Sequence, residues 1–178
     1  MNQRGFTLVE LMTAVAIMAI IATLALPSFR NLINSNKATS TAEELVNSLG
    51  VGKSEALQRN GVVTICPSTN STTSSPTCST TNTDWKSGWL VFVDGDNDGS
   101  YSSTSDTLLR RGSPASNLTS LTSYNEASTC TSVALVKFRS FINLGGSALV
   151  FKVVAGNTTK WVKVDRLGRI TLPATSSC

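Results

Sequence analysis

The sequence predicts an α+β protein: a long N-terminal α-helix, with a membrane-embedded first half, packed on a C-terminal, mainly antiparallel β-sheet head. Three observations carry this. Leu11 to Leu26 reads LMTAVAIMAIIATLAL, an apolar run with Thr13 and Thr23 as its two polar side chains and no charge. Between residues 38 and 56 apolar side chains recur at spacings of three, four and seven, the period of one helix face. After Gly61 that period gives way to short runs of β-branched and aromatic residues separated by Gly, Asn, Ser and Thr. The 178 residues suit one such head on one stem.

Residues 1–5, MNQRG, form a polar leader with a single charge, Arg4. Residues 6–26 hold one ionisable side chain, Glu10, and as a helix rising about 1.5 Å per residue they span roughly 30 Å of hydrocarbon, enough to cross a bilayer once. A conventional secretory signal cleaved near Thr23-Leu24-Ala25 is the plain alternative. Glu10 speaks against it, because an intramembrane carboxylate costs a few kcal/mol unless it finds a partner. Pro27 is expected to end or kink this segment. Residues 27–60 then read as an amphipathic helix whose buried stripe is Ala38, Ala42, Leu45, Leu49 and Ala56, with Glu43, Glu44, Lys53 and Glu55 largely off it. Gly50 and Gly52 weaken it locally. Thr41 with Glu44 is a capping box if a helix restarts there, and an exposed threonine if the helix is continuous. Asn60-Gly61 supplies the stop.

Residues 61–178 make the head. Strands are expected at Val62 to Cys66, Trp89 to Val93, Val133 to Phe138, Ala148 to Val154, Trp161 to Val164 and Ile170 to Leu172. Gly145-Gly146 and Gly156-Asn157 fall between consecutive runs and predict an antiparallel meander of the runs beginning at Val133, Ala148 and Trp161. Pro67 to Thr83, dominated by Ser and Thr, is expected to be a surface loop too polar for a core. The four cysteines, Cys66, Cys78, Cys130 and Cys178, are an even count behind an export-like start, which suits an oxidising compartment. Three connectivities are open. Pairing Cys66 with Cys78 and Cys130 with Cys178 is favoured, since the first bridge would close the polar loop.

No catalytic site and no cofactor are expected. Histidine is absent, which excludes triad hydrolases and His-ligated metal centres. There is no Gly-rich phosphate loop, and Cys66 and Cys78 are too far apart for a zinc knuckle. The formal charge of +4 names no partner.

The string Gly5-Phe6-Thr7-Leu8-Val9-Glu10, followed by an apolar helix and Pro27, resembles the class III signal of type IV pilins. The resemblance implies cleavage between Gly5 and Phe6 by a prepilin peptidase, N-methylation of Phe6, and a helix stored in the inner membrane until assembly. It also implies that Glu10 meets the cationic amino terminus of a neighbouring subunit within an apolar bundle, where low dielectric strengthens the pair. Gly88-Trp89-Leu90-Val91-Phe92-Val93-Asp94 with Asp96, Asp98 and Gly99, and later Gly168-Arg169, is similar to the GspH/FimT family, the minor pilins of type IV pili and minor pseudopilins of type II secretion. On that footing the chain is a single-pass inner-membrane protein with a periplasmic head, a minor pilin that initiates or caps a pilus. Its partners are other minor and major pilins and the prepilin peptidase. A type II secretion pseudopilin and a DNA-binding pilin for natural transformation are the alternatives.

Two further groups bear chemistry. Asp94, Asp96, Asp98 and Gly99 match the first half of a calcium loop, but its twelfth position is Ser105, with Asp106 one residue late, so no metal is expected and a plain polar turn is the preferred reading, with Asp94, Asp96 and Asp98 as the calcium alternative. The C-terminal third is basic: Lys137, Arg139, Lys152, Lys160, Lys163, Arg166 and Arg169 face only Asp165 after Glu126. Some members of the resembled family bind DNA through Gly-Arg-x-Arg. Here Gly168-Arg169-Ile170 fits, but Thr171 replaces the last arginine. Lys163, Arg166 and Arg169 are therefore read first as a solvated face that keeps the head soluble, with a DNA contact as the alternative that is not favoured. Trp85, Trp89 and Trp161 read as packing residues ahead of a ligand platform.

Overall fold

A computed structural model describes residues 7–81, 84–126, 130–139 and 148–176. One helix, α1 (Leu8–Arg59, 52 residues), runs through both predicted halves and is about 78 Å long at the standard rise. Pro27 does not end it. The lost N–H and the ring clash cost about 3 kcal/mol, which the cooperative helix offsets through the many turns on either side. Thr41 consequently caps nothing. It is not exposed either: the side chain is buried and its hydroxyl accepts the Ala115 N–H at 3.0 Å, tying the helix to the head. Asn60, in the left-handed region at φ 49°, closes the helix.

The predicted stripe is the buried one. Ala38, Ala42, Leu45, Leu49 and Ala56 are all at most 1% exposed. Gly52 belongs to the same face: a Cβ there would stand 3.0 Å from Ile65 Cδ1, so the glycine that costs helix propensity lets the helix approach the sheet.

Two antiparallel sheets cover this face. The first orders its strands β3 (Thr107–Gly112), β2 (Trp89–Val93), β1 (Val63–Pro67) and β6 (Val136–Phe138). The second runs β5 (Thr131–Ser132), β4 (Ser120–Asn125), β7 (Leu149–Ala155), β8 (Thr158–Val164) and β9 (Ile170–Thr171). The expected meander is thereby shifted. β7, β8 and β9 are sequential antiparallel neighbours, with Gly156-Asn157 at the first turn, but β6 joins the other sheet through β1, Ile65 opposite Val136. Phe138 and Val136 are buried against α1 and β1, and that burial decides their sheet. The proposed hairpin at Gly145-Gly146 lies outside the described residues.

Strands β3, β4 and β5 went unpredicted. β3 is an edge strand with two leucines, and β4 places Ser123 in the core, where its hydroxyl donates to the Val133 carbonyl. A serine at a buried position erases the alternation that announces a strand. The core joins both sheets to α1. Trp85, on a short 3-10 turn (Asp84–Ser87), stands edge-on to Phe151 with centroids 5.1 Å apart and bridges the two sheets. Trp89 is equally buried and lies against Gly112, its cross-strand partner.

The Ser/Thr-rich loop is more than a solvated surface. Ser68 and Ser71 are buried, and Asn70 organises the turn: its carbonyl oxygen accepts the Thr77 N–H at 2.9 Å and the Ser68 hydroxyl at 3.0 Å. Short side chains that hydrogen-bond locally let a polar segment pack without an apolar core of its own. The Cys66–Cys78 disulfide closes it, stabilising by about 3 kcal/mol on the chain-entropy account. Its expected counterpart, Cys130 with Cys178, falls outside the described residues at Cys178; no described cysteine is free.

Candidate assembly surface and acidic loop

Among the described residues, one helix is long and apolar enough to cross a membrane. Its N-terminal part touches nothing in the head: Leu8, Val9, Leu11, Met12, Val15, Ile17, Met18, Ile20 and Ile21 are 57–73% exposed. Each such side chain gains roughly 1.5–3 kcal/mol on leaving water, so this surface requires lipid or other helices around it. The exposed apolar face continues past Pro27 through Phe29 and Leu32. Gly5 and Phe6 lie outside the described residues.

Glu10 stands in the first turn of α1, where Thr7 is the N-cap. Glu10 Oε2 accepts the Thr7 N–H at 3.1 Å and the Thr7 hydroxyl at 2.9 Å, and the Glu10 N–H is returned to Thr7 Oγ1 at 3.3 Å. This is a capping box, the motif that Thr41 and Glu44 would form only if a helix restarted there. Thr7 and Glu10 have the same three-residue spacing, and only the helix start tells the two apart.

The Asp94 turn joins β2 to β3. Asp94 is 3% exposed; its Oδ2 accepts the Thr64 hydroxyl at 2.6 Å and pairs with Lys137 Nζ at 3.1 Å. The same ammonium donates to the Asn97 carbonyl at 2.8 Å and to Asn97 Oδ1 at 3.0 Å. Gly99 has φ +86°, the sharp bend a non-glycine residue resists. Asp98 turns away from the group and caps the Ser100 N–H. Asp106, one place late by sequence count, is brought back: its oxygens accept the Gly95 N–H at 2.9 Å and the Ser102 N–H at 2.7 Å. Asp94, Asp96 and Asp106 thus form the acidic cluster, with one oxygen of each within 4.8 Å of the others.

Burial by itself raises the Asp94 pKa, but hydrogen bonds from Thr64 and Lys137 and the Lys137 charge outweigh it, leaving the carboxyl below its ordinary value. A depressed folded-state pKa stabilises the head above the unfolded value near 3.9 and is lost as pH falls through the folded one. The melting temperature should therefore hold from neutrality to about pH 5 and decline below about pH 4. Thr64→Val should lower it at pH 7, with the gap to the parent narrowing in acid. A gap that is constant across a thermal-melt pH series contradicts this role for Thr64.

Three of the seven basic C-terminal residues stand in ion pairs: Lys137 with Asp94, Lys163 with Glu126, and Arg169 Nε with Asp165 Oδ2 at 3.0 Å. Asp165 also accepts the Leu167 and Arg169 N–H groups, and these donors, the Arg169 N–H foremost, hold its carboxyl below the usual range. Arg166 is exposed beside them. Val162 and Val164 are buried, whereas Trp161 and Lys163 share the opposite face of β8. Lys152 sits 5.3 Å from the centroid of Trp161. Trp161 also lines a groove of about 410 Å³ with Glu43 and Lys160.

An exposed apolar stem continuous with an antiparallel head that packs on its second half is the pilin fold. The comparisons agree. Two crystal structures of the type IV minor pilin FimU of Pseudomonas aeruginosa superpose on it: one at TM-score 0.55 and 21% identity, covering 78% of this chain and 89% of that one, the other at 0.50 and 18%, covering 76% and 91%. Residues 41–168 match the family model described as Type II transport protein GspH, and residues 1–26 match the prokaryotic N-terminal methylation motif. The chain belongs to the GspH family of type IV pilin-like proteins. It is also 44% identical over 43 residues to the type IV major alpha-pilin and to fimbrial protein Q of Moraxella bovis; the match covers 27% of each of those proteins and 24% of this chain.

Proposed function

We propose that this chain is a minor pilin, cut by a prepilin peptidase between Gly5 and Phe6, N-methylated on Phe6, held by a single pass in the inner membrane with its head in the periplasm, and drawn into a pilus to initiate or cap it. The observation that carries the reading is the stem: a helix bare and apolar in its first half is continuous, without a break at Pro27, with the half that anchors the head. Such an element serves twice, in lipid before assembly and against neighbouring stems afterwards, because both surroundings remove the same apolar surface from water. Glu10 takes the amine of the adjacent subunit and sets axial register. The ion pairs at Lys163 and Arg169 support reading the basic edge as a solvated face.

Mass analysis of the chain from its native membrane tests this, with N-methyl-Phe6 expected as the first residue. A mature terminus near residue 26 would mean conventional secretion and end the proposal. The family description favours a second reading, a type II secretion pseudopilin. Loss of the gene product should abolish pili under the first reading and protein export under the second.

A further inference from the structure

We infer that the groove beside Trp161 seats the apolar stem of an adjacent pilin-like subunit. The inference rests on the reading of the stem as an assembly element and adds a docking site on the head. Thr39 and Glu43 of α1, Trp161 of β8, and Leu172, Pro173 and Ala174 beyond β9 line this groove of about 410 Å³. The local sequence keeps it open. Lys163 stands opposite Thr171 and Val164 opposite Ile170, so a longer β9 would set Pro173 opposite Trp161. Proline has no N–H to give a ladder, and the chain leaves the sheet there. Among the described residues, 158–162 of β8 therefore have no partner strand on that side. Leu172 is left 54% exposed; beyond α1, it and Leu167 are the exposed large apolar side chains of the described head. Apolar surface of this kind gains by being covered.

The helix indicates what covers it. Leu32, Asn36, Thr39 and Glu43 follow one another at spacings of four, three and four, which is one face of α1. The groove is thus the head-ward continuation of the bare apolar surface at Phe29 and Leu32. Lipid does not extend that far: from a span ending at Leu26, Thr39 lies about 20 Å further along the axis. Arg30 and Lys37 stand between them, charges that suit the headgroup and water side. A helix packed beside Phe29 and Leu32 is carried past Thr39 by its own length. It arrives with its backbone hydrogen bonds satisfied and offers the apolar cover that Leu172 and Trp161 lack. A strand added to β8 would instead meet Lys160, an exposed charge of the kind that blunts sheet edges. With a helix seated in the groove, Lys160 and Glu43, both exposed, form the polar rim of the contact.

The test places the photo-crosslinking residue p-benzoylphenylalanine in the full chain in its native membrane, once at Lys160 on the groove rim and once at Lys86, exposed on the head outside the groove. After irradiation of membranes and sheared pili, mass analysis should map the adduct from position 160 to the stem of another subunit, and position 86 should give no stem adduct. Leu172→Asp changes an exposed side chain, so the fold stays intact, which circular dichroism verifies. It should lower both the adduct and recovery in filaments about tenfold at an unchanged membrane level. In chains that begin at N-methyl-Phe6, an adduct on lipid, an adduct on another head, no adduct at all, or parental recovery of Leu172→Asp overturns the groove inference and leaves the assembly reading standing. Chains that begin near residue 26 remove both.

Discussion

Glu10→Gln should leave the chain in the membrane at its normal level but reduce its incorporation into filaments at least about tenfold, read by immunoblot of sheared pili against whole membranes. Glutamine retains the shape and, as the third residue of a capping box, can still accept from Thr7, so the helix start survives. What is removed is the charge. Close charge pairs at protein interfaces couple by about 1.5–7 kcal/mol, and a tenfold effect needs only about 1.4 kcal/mol of that. The capping contacts engage Oε2 within the chain's own first turn, so they do not require a neighbour. A Glu10→Gln chain recovered in filaments at the parental level would show that the carboxylate serves only the local cap.

Gly112→Ala should destabilise the head by about 3 kcal/mol, the upper end for overpacking a core, measured by denaturant unfolding. A Cβ on Gly112 would overlap Trp89 Cε2 and Nε1, far inside the contact distance of about 3.5 Å between heavy atoms and against a rigid ring. The indole is fully buried and cannot swing away as a flexible chain end would. Trp89→Leu should itself cost stability, but adding Gly112→Ala to it should cost much less than in the parent, a coupling that a double-mutant cycle measures. Equal penalties in both backgrounds would place the strain elsewhere in β3.

The stem was legible residue by residue. The five stripe positions are the buried ones because a helical period maps sequence spacing directly onto a face. The helix stop at Asn60 and the strand at Trp89–Val93 followed from equally local chemistry. Of the two outcomes expected at Pro27, a stop or a kink, the stop does not occur, because a local penalty is set against a cooperative helix on both sides. At Thr41 the continuous-helix alternative holds, but its expected exposure does not, because the head covers it. The acidic turn was half legible: Asp94 and Asp96 were named, but Asp98 faces Ser100, and Asp106 joined only when the turn folded back.

What the sequence alone determined is everything decided within a few residues: the apolar span, the amphipathic stripe, the helix end and the β character of the head. What only the tertiary structure decided is which strand joins which sheet, why β6 leaves the expected meander for β1, how Ser123 and Thr41 come to be buried, and which carboxylates meet. The physical reason is range. Periodicity and capping depend on neighbours along the chain, whereas strand pairing, burial of a hydroxyl and convergence of charges depend on segments tens of residues apart competing for the same core.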